Sequence, residues 1–150
     1  MIHSEFKFHP IGQGSFYTGK IRFRNEISLV YDCGTISERP YLLDSIETFK
    51  GDLYKKTLDL LILSHLDDDH VNEIKNLLDG VTCERIYLPY LTPLQRLYVA
   101  IRHNPRETND FDDFIAFLKS PHEYILNIEK TQIKEINYIF GNSGNLFRPD

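Results

Sequence analysis

Two histidines and three aspartates fall within six positions of this chain, in the segment "LILSHLDDDH" at residues 61–70. Alternate residues of an extended loop point the same way, so we expect His65, Asp67 and Asp69 to share one side. His70 follows at the predicted start of a helix. Imidazole and carboxylate together suit zinc, with manganese or iron as alternatives. A divalent ion would also offset the repulsion between the carboxylates and keep them ionised.

The same residues have a second interpretation, as a solvated acidic turn that caps the following helix. Asp69 could do this alone, because carboxylates are favoured at helix N-termini. Two observations favour a metal site instead. The histidines flank the aspartates at a fixed interval, and the apolar run that precedes them is too apolar for a surface position.

The elements that must position this segment are predicted from the surrounding pattern. "EFKFHP" alternates apolar and polar residues, and "SFYTGKIRF" and "ISLVYDCG" are β-rich runs joined by a polar turn at 24–26, which indicates a hairpin. "LDLLILS" is typical of a strand buried on both faces. "HVNEIKNLLDG" predicts one helix that ends at Gly80. The ligand segment therefore lies between a buried strand and a helix, where open α/β folds place their sites.

The rest of the chain continues this alternation of helices and strands. "ERPYLLDSIETF" has helical spacing, "CERIYLPY" and "IKEINYIF" are predicted strands, and Thr92-Pro93 is expected to open a helix. Asn109 is a candidate cap of another helix. Residues 120–123, Ser-Pro-His-Glu, have the form of a capping box. The prediction is an α/β layered protein of one domain over residues 1–150.

Composition excludes several classes of function. The net charge of −5 argues against a module that simply coats nucleic acid, although a local basic groove stays possible. No stretch approaches the about 18 apolar residues of a membrane span, and the N-terminus lacks the pattern of a signal peptide. Cys33 and Cys83 are not closely paired, so we expect both to be reduced and the protein to be cytoplasmic.

His-x-Asp-x-Asp-His after a buried strand resembles the signature of the metallo-β-lactamase superfamily. Most members have histidine where this chain has Asp67, and the aspartate version resembles the hydrolase domain of bacterial DNA-uptake (competence) proteins. "HPIGQGSFYTGKI" followed by "LVYDCGT" is similar to the Gly-Gln-Gly segment and the strand ending in Asp-Cys-Gly of that branch. In order and spacing the resemblance covers about residues 5–80.

The resemblance implies a dinuclear site that holds two zinc ions, with manganese as the alternative. His65 and Asp67 would face the first ion, and Asp69 and His70 the second. Asp69 would also orient the attacking water, as the catalytic residue. A pair of ions would lower the pKa of a bridging water and clamp the oxygens of a displacement.

The resemblance also assigns supporting roles. Asp32 would lie beneath the site and support the loop through hydrogen bonds. Asp68 occupies a variable position and is not expected to be a ligand. The residues expected to line the pocket are Gly12, Gln13 and Gly14.

The chain departs from the family after the first half. A full member is an αββα sandwich whose second half supplies further ligands, and no such segment follows here, so we expect the N-terminal half of that sandwich. A C-terminal remainder, a second chain or a dimer would complete it. His103 and His122 are expected to be surface residues. His9 either lines the pocket or is hydrogen-bonded locally in its strand.

Two functions follow as expectations. The first is a metal-dependent hydrolase of phosphodiester bonds, a nuclease or nucleotide phosphodiesterase, acting on nucleic acid or a nucleotide. Basic residues in the hairpin (Lys20, Arg22 and Arg24) and later (Arg96, Arg102 and Arg106) could form a groove for it. Lactone, thioester or β-lactam hydrolysis stays open, because fold does not determine substrate. The second function is a non-catalytic scaffold or interaction module in a larger complex.

Overall fold

The computed structural model describes residues 2–102 and 110–141. Within them, seven strands form one sheet, in which β1, β2 and β3 are antiparallel neighbours and β3, β4 and β5 are parallel neighbours. The two short strands β6 and β7 both pair in parallel with β5. The strands are β1 (His3–Phe8), β2 (Gly14–Arg22), β3 (Glu26–Thr35), β4 (Thr57–Ile62), β5 (Thr82–Pro89), β6 (Gln132–Ile133) and β7 (Ile136–Ile139).

The helices fall between and after these strands. They are α1 (Arg39–Gly51), α2 (Asp68–Val71), α3 (Ile74–Leu78), α4 (Pro93–Arg102), α5 (Asp110–Lys119) and α6 (Pro121–Leu126), with a 3-10 turn at Tyr54–Lys56. The predicted α/β class is confirmed, as are the hairpin between β2 and β3 and the helix that opens at Pro93. None of the helices in the described ranges is long and apolar enough to cross a membrane.

One face of the sheet packs against helices and forms the core. The parallel register aligns Val30, Leu61 and Ile86, and all three are fully buried. Helix α1 covers this face with Leu42, Ile46 and Phe49, which are buried as its apolar spacing predicts. Phe49 meets Phe16 of β2 edge to face, with ring centroids 6.3 Å apart.

The opposite face of the sheet is only partly covered, and here the prediction that β4 is buried on both faces is wrong. Leu61 and Leu63 are buried, but Leu60 and Ile62 keep partial exposure. The register places one residue from each of five strands in a row on this face, which we call the aromatic row. It runs Phe8, Tyr17, Tyr31, Ile62 and Tyr87.

The single helix predicted from residue 70 to Gly80 is also wrong, because the segment forms two short helices, α2 and α3. Residues that would continue the helix bond elsewhere. The side chain of Asn72 accepts the N–H of Thr35 (3.1 Å) and donates to the Thr35 carbonyl (2.8 Å). The backbone N–H of Glu73 donates to the carbonyl of Cys33, at 3.1 Å. Bonds to β3 therefore replace helical continuity at this point.

Several smaller expectations have definite outcomes. Helix α6 begins with proline after Ser120, as predicted, but the Ser120 side chain makes no capping hydrogen bond, so the capping box does not form. Cys33 and Cys83 are free and buried. Asn109, His103 and Arg106 lie outside the described residues.

Candidate metal centre

The candidate site lies where the parallel pairing of β3 with β4 ends. Tyr31 and Ile62 are the last aligned pair, so Asp32 follows directly in β3 and Ser64 follows two residues after the end of β4. Asp32 adopts a φ of +58°, in the left-handed region that aspartate enters more readily than most residues. Its side chain is almost completely buried, at 1% exposure. A buried carboxylate is costly unless it is hydrogen-bonded, so its partners define the base of the site.

Asp32 has three such partners. Its Oδ1 accepts the backbone N–H of Ser64 at 2.7 Å, and its Oδ2 accepts the Ser64 hydroxyl at 2.7 Å. The Nδ1 of His70 lies 2.8 Å from the same Oδ2. A carboxylate has no proton to donate, so His70 donates from Nδ1. The Nε2 lone pair of His70 is then free to bind a metal, the arrangement that metal-binding histidines usually have.

Ser64 orients His65 as Asp32 orients His70, and the sequence analysis did not identify Ser64 as part of the site. Its hydroxyl lies 2.7 Å from Nδ1 of His65. The single hydroxyl proton is given to Asp32, so the Ser64 oxygen accepts and His65 donates from Nδ1. His65 therefore also presents the Nε2 lone pair. The only signal in the sequence was a hydroxyl residue directly before His65, which alone does not indicate a contact with residue 32.

The two aspartates of the motif stand beside these free nitrogens. The Nε2 of His65 lies 3.6 Å from Oδ2 of Asp67, and the Nε2 of His70 lies 3.6 Å from Oδ2 of Asp69. The two imidazole rings are neighbours, with centroids 3.7 Å apart. The structure thus places each predicted histidine beside one predicted aspartate, and the two histidines beside each other.

The donor set fits divalent ions. A tetrahedral zinc about 2.0–2.2 Å from each ligand holds neighbouring ligand atoms roughly 3.3–3.6 Å apart. Each histidine–aspartate pair has about that separation, so each could chelate one ion without a large movement. The exposed fractions of the His65 and Asp67 side chains, 45% and 53%, leave room for water or further ligands on that side.

A second grouping of ligand atoms exists at the same place. One ligand atom each from Asp32, His65 and His70 lies within 4.8 Å of the others. An ion bound there would have to displace hydrogen bonds that satisfy both oxygens of a buried carboxylate. We therefore assign Asp32 to supporting the histidines rather than to binding metal directly.

Glycines allow the ligand segment to sit directly on the sheet. A Cβ atom on Gly34 would lie 2.6 Å from backbone atoms of both Asp69 and His70. A Cβ on Gly14, whose φ is +145°, would lie 2.9 Å from the Asp69 carbonyl oxygen. The expected lining segment thus reaches the site through the backbone of Gly14. Gly12 (φ +80°) and Gln13 pack instead against Ser37, whose hydroxyl accepts the Gln13 N–H at 2.7 Å.

Asp68 and the capping alternative can be placed as well. The Nδ2 of Asn72 donates to Oδ2 of Asp68 at 3.2 Å, so Asp68 helps to hold the ligand segment together. Asp67 precedes α2 at the capping position but makes no side-chain capping hydrogen bond. Asp69 lies inside the four-residue α2. Capping by these side chains does not account for the cluster.

Two further histidines that the structure describes, His9 and His122, have other surroundings. The Nε2 of His9 is hydrogen-bonded to the Thr18 hydroxyl at 3.0 Å. Of the two roles that the sequence left open for His9, this is the local hydrogen bond within the strands. Burial, with the charge of Lys7 nearby, lowers the pKa of His9 from 6.5 to about 4. His122 is exposed, as predicted.

The basic residues of the hairpin do not form the groove that the sequence left possible. Lys20 is 8% exposed and donates to the Asp52 carbonyl at 3.1 Å, while Arg22 is paired with Glu26. Arg24 is exposed beside the ring of Phe23.

Comparison with known proteins adds no further assignment: no family model, curated protein or solved structure matches this chain.

Proposed function

We propose that the chain forms the metal-binding half of a metal-dependent hydrolase with a metallo-β-lactamase-like fold. The observation that carries the proposal is the pair of oriented histidines: both present Nε2, and each has one carboxylate oxygen 3.6 Å away. A solvated acidic turn has no need to hold two imidazoles in defined tautomers. His65 with Asp67 would hold one ion and Asp69 with His70 the other, zinc in both cases or manganese as the alternative.

The chain's own residues supply the chemistry around the ions. Two bound ions would lower the pKa of a bridging water and neutralise charge on the displaced oxygens. Asp69 would accept a hydrogen bond from that water and orient it. Asp32 and Ser64 hold the histidines in the productive tautomer, so that no proton must move before metal binds. Phosphodiester bonds, in nucleic acid or a nucleotide, are the proposed substrate because Asp67 and the Gly-Gln-Gly segment resemble those of the DNA-uptake branch.

The experiment compares two adjacent aspartates. In the complete protein, with the part that supplies the remaining ligands, Asp69→Asn should lower the rate of hydrolysis of bis(p-nitrophenyl) phosphate by about 100-fold or more, because an amide supplies neither the negative charge nor the same acceptor. Asp68→Asn is the matched control and should be nearly silent, since Asp68 accepts a hydrogen bond from Asn72, which an amide oxygen at position 68 can also accept. Circular dichroism checks folding. The reverse result would show that the roles of Asp68 and Asp69 are exchanged. Full activity in both variants would mean that this segment is not catalytic.

The described residues offer only two donors per ion, whereas structural zinc normally has four ligands. We therefore propose that a C-terminal remainder, a second chain or a dimer supplies the other ligands and completes the sandwich. Zinc binding by the chain of residues 1–150 should then be weak. Calorimetry that shows tight binding of two zinc ions per chain would contradict this completion.

A specific observation favours the scaffold as a second candidate. The aromatic row exposes Phe8 at 83% and Tyr31 at 40%, and a contiguous apolar sheet face is typical of an interface. A protein that binds zinc and assembles into a complex, but hydrolyses no phosphodiester under any metal, would support the scaffold over the enzyme.

We also propose that the protein works in the cytoplasm. Burial raises the pKa of Cys83 to about 12, and that of Cys33 well above its usual value, so both thiols stay protonated and unreactive. Two separate buried thiols fit a reducing compartment. Fluorescence microscopy of the tagged protein in its source cells would test this.

A further inference from the structure

The outer edge of β1 is free to pair with another strand. β1 pairs with β2 along its whole length, and no strand in the described part of the chain pairs with its other edge. All six of its residues, His3–Phe8, are exposed. A strand edge carries unpaired N–H and C=O groups, and so is a template for another strand.

The side chains of β1 alternate between charged and aromatic. Glu5 and Lys7 point to one face of the sheet, and Phe6 and Phe8 point to the other. Neither Glu5 nor Lys7 forms an ion pair with another described residue of the chain. Phe6 and Phe8 are 51% and 83% exposed, and both contact the ring of Tyr17. A strand that only protected an edge from pairing would not place two phenylalanines in water.

We propose that two copies of this chain pair antiparallel through β1, around a two-fold axis at Phe6. In that register Glu5 lies opposite the partner's Lys7, and symmetry repeats the contact with Lys7 opposite the partner's Glu5. Phe6 lies opposite the partner's Phe6 on the other face. Opposite charges and aromatic pairs directly across an antiparallel ladder stabilise it. A two-fold interface needs such a self-complementary surface.

The charge pattern selects this register over its neighbours. An axis at Glu5 would place two carboxylates opposite each other, and an axis at Lys7 would oppose two ammonium groups. An axis between positions 5 and 6 or between 6 and 7 would leave both charges opposite uncharged side chains or backbone. Parallel pairing of the same two outer edges would turn one sheet over, so the charged side chains of the two copies would lie on opposite faces and form no ion pairs. Only the axis at Phe6 pairs every charge of the strand with its opposite.

This self-complementarity is the reason to choose a second copy as the occupant of the edge. A lone lysine on an edge strand repels a copy of itself, and is a common guard against pairing. Glu5, two residues before Lys7, turns that repulsion into attraction in one orientation. The dimer would also join the exposed Phe6 and Phe8 of one sheet to those of the other.

Sedimentation velocity over a concentration series tests the dimer. The wild-type chain should shift from monomer to dimer as concentration rises. Lys7→Glu should weaken the association at least 10-fold. The new carboxylate at position 7 of each copy would then lie opposite Glu5 of the other copy, which gives two repulsive contacts per dimer. Glu5→Lys should do the same, although it also brings a second positive charge beside Lys20 within the chain.

The decisive variant exchanges the two charges. Glu5→Lys combined with Lys7→Glu restores opposite charges across the axis, so the double variant should dimerise like the wild type. Lys119→Glu, at an exposed position in α5, is the control for net charge and should leave the dimer unchanged.

Three results would overturn the proposal: a wild-type monomer at all concentrations, single variants that dimerise normally, or a double variant that stays monomeric although folded by circular dichroism. If the chain stays monomeric and instead binds a strand of a different protein, the proposal is overturned in the first of these ways. No metal is needed in any arm, so the outcome is independent of the hydrolase proposal.

Discussion

Replacing Ser64 by alanine should uncouple His65 from the rest of the site while leaving His70 in place. The hydroxyl makes two contacts of 2.7 Å, one to Asp32 and one to His65. Without it, Asp32 still accepts the backbone N–H at 2.7 Å and His70 at 2.8 Å, so the buried carboxylate stays satisfied. His65 loses its protein partner and turns to water, since its side chain is 45% exposed.

The size of the effect follows from these contacts. Loss of one hydrogen bond to a charged group should cost about 1–2 kcal/mol of unfolding free energy, in a site where solvent can replace part of it. Loss of a partner that orients a metal-binding histidine typically costs about 10–100-fold in metal affinity, which is roughly 1.4–2.8 kcal/mol. The loss should fall on the ion that we propose His65 and Asp67 to hold, and not on the one that we propose Asp69 and His70 to hold.

Two measurements check this. Long-range proton–nitrogen NMR of the histidine rings should show His65 losing its single tautomer in Ser64→Ala while His70 keeps its own. A competitive zinc titration should show weaker binding at one site only. Ser64→Thr is the matched control, because it keeps the hydroxyl and position 64 is exposed enough to accept a methyl group. Unchanged zinc affinity in Ser64→Ala, together with an unchanged His65 tautomer, would refute the tautomer argument.

Three further perturbations have definite expected outcomes. Gly34→Ala should destabilise the fold by about 1–3 kcal/mol in urea unfolding, because its Cβ would lie 2.6 Å from backbone atoms of the ligand segment; Gly51→Ala, with nothing within 4 Å, should cost nothing. Because the pKa of His9 is about 4 when folded and 6.5 when unfolded, the unfolded chain binds more protons between these values. Stability should therefore fall as pH drops from 6.5 to 4, by about 1–2 kcal/mol after solvent screening, and His9→Gln should flatten that dependence in chemical unfolding at several pH values. Asn72→Ala should cost about 2–3 kcal/mol in thermal or urea unfolding, since it leaves the Thr35 N–H and C=O without their partner.

Local pattern determined the elements closest to the site. The polar turn at 24–26 between two β-rich runs led to the hairpin, and helical spacing led to α1 with Leu42, Ile46 and Phe49 buried. Both depend on contacts between residues near in sequence, so periodicity is enough to find them. The ligand set was found for the same reason, because all four side chains come from one segment of six residues.

The break between α2 and α3 shows where local pattern fails. Residues 70–80 have good helical spacing, and nothing in that window signals an interruption. The interruption comes from the N–H of Glu73, which bonds to the carbonyl of Cys33 in β3 instead of to the carbonyl four residues earlier, while the Asn72 side chain holds the same point against Thr35. These partners are about forty residues earlier in the chain, so a local window cannot contain the competition that ends the helix.

The hydrogen-bond network that orients the histidines also depends on residues far apart in the sequence. The sequence by itself predicted candidate metal ligands and placed them directly after a strand. It did not determine that Ser64 links Asp32 to His65, or which nitrogen each histidine presents, because these depend on a residue of β3 that lies 32 positions away. Only the tertiary structure sets β3 beside β4 in the register that closes this network, since a hydrogen bond depends on position in space and not on separation along the chain.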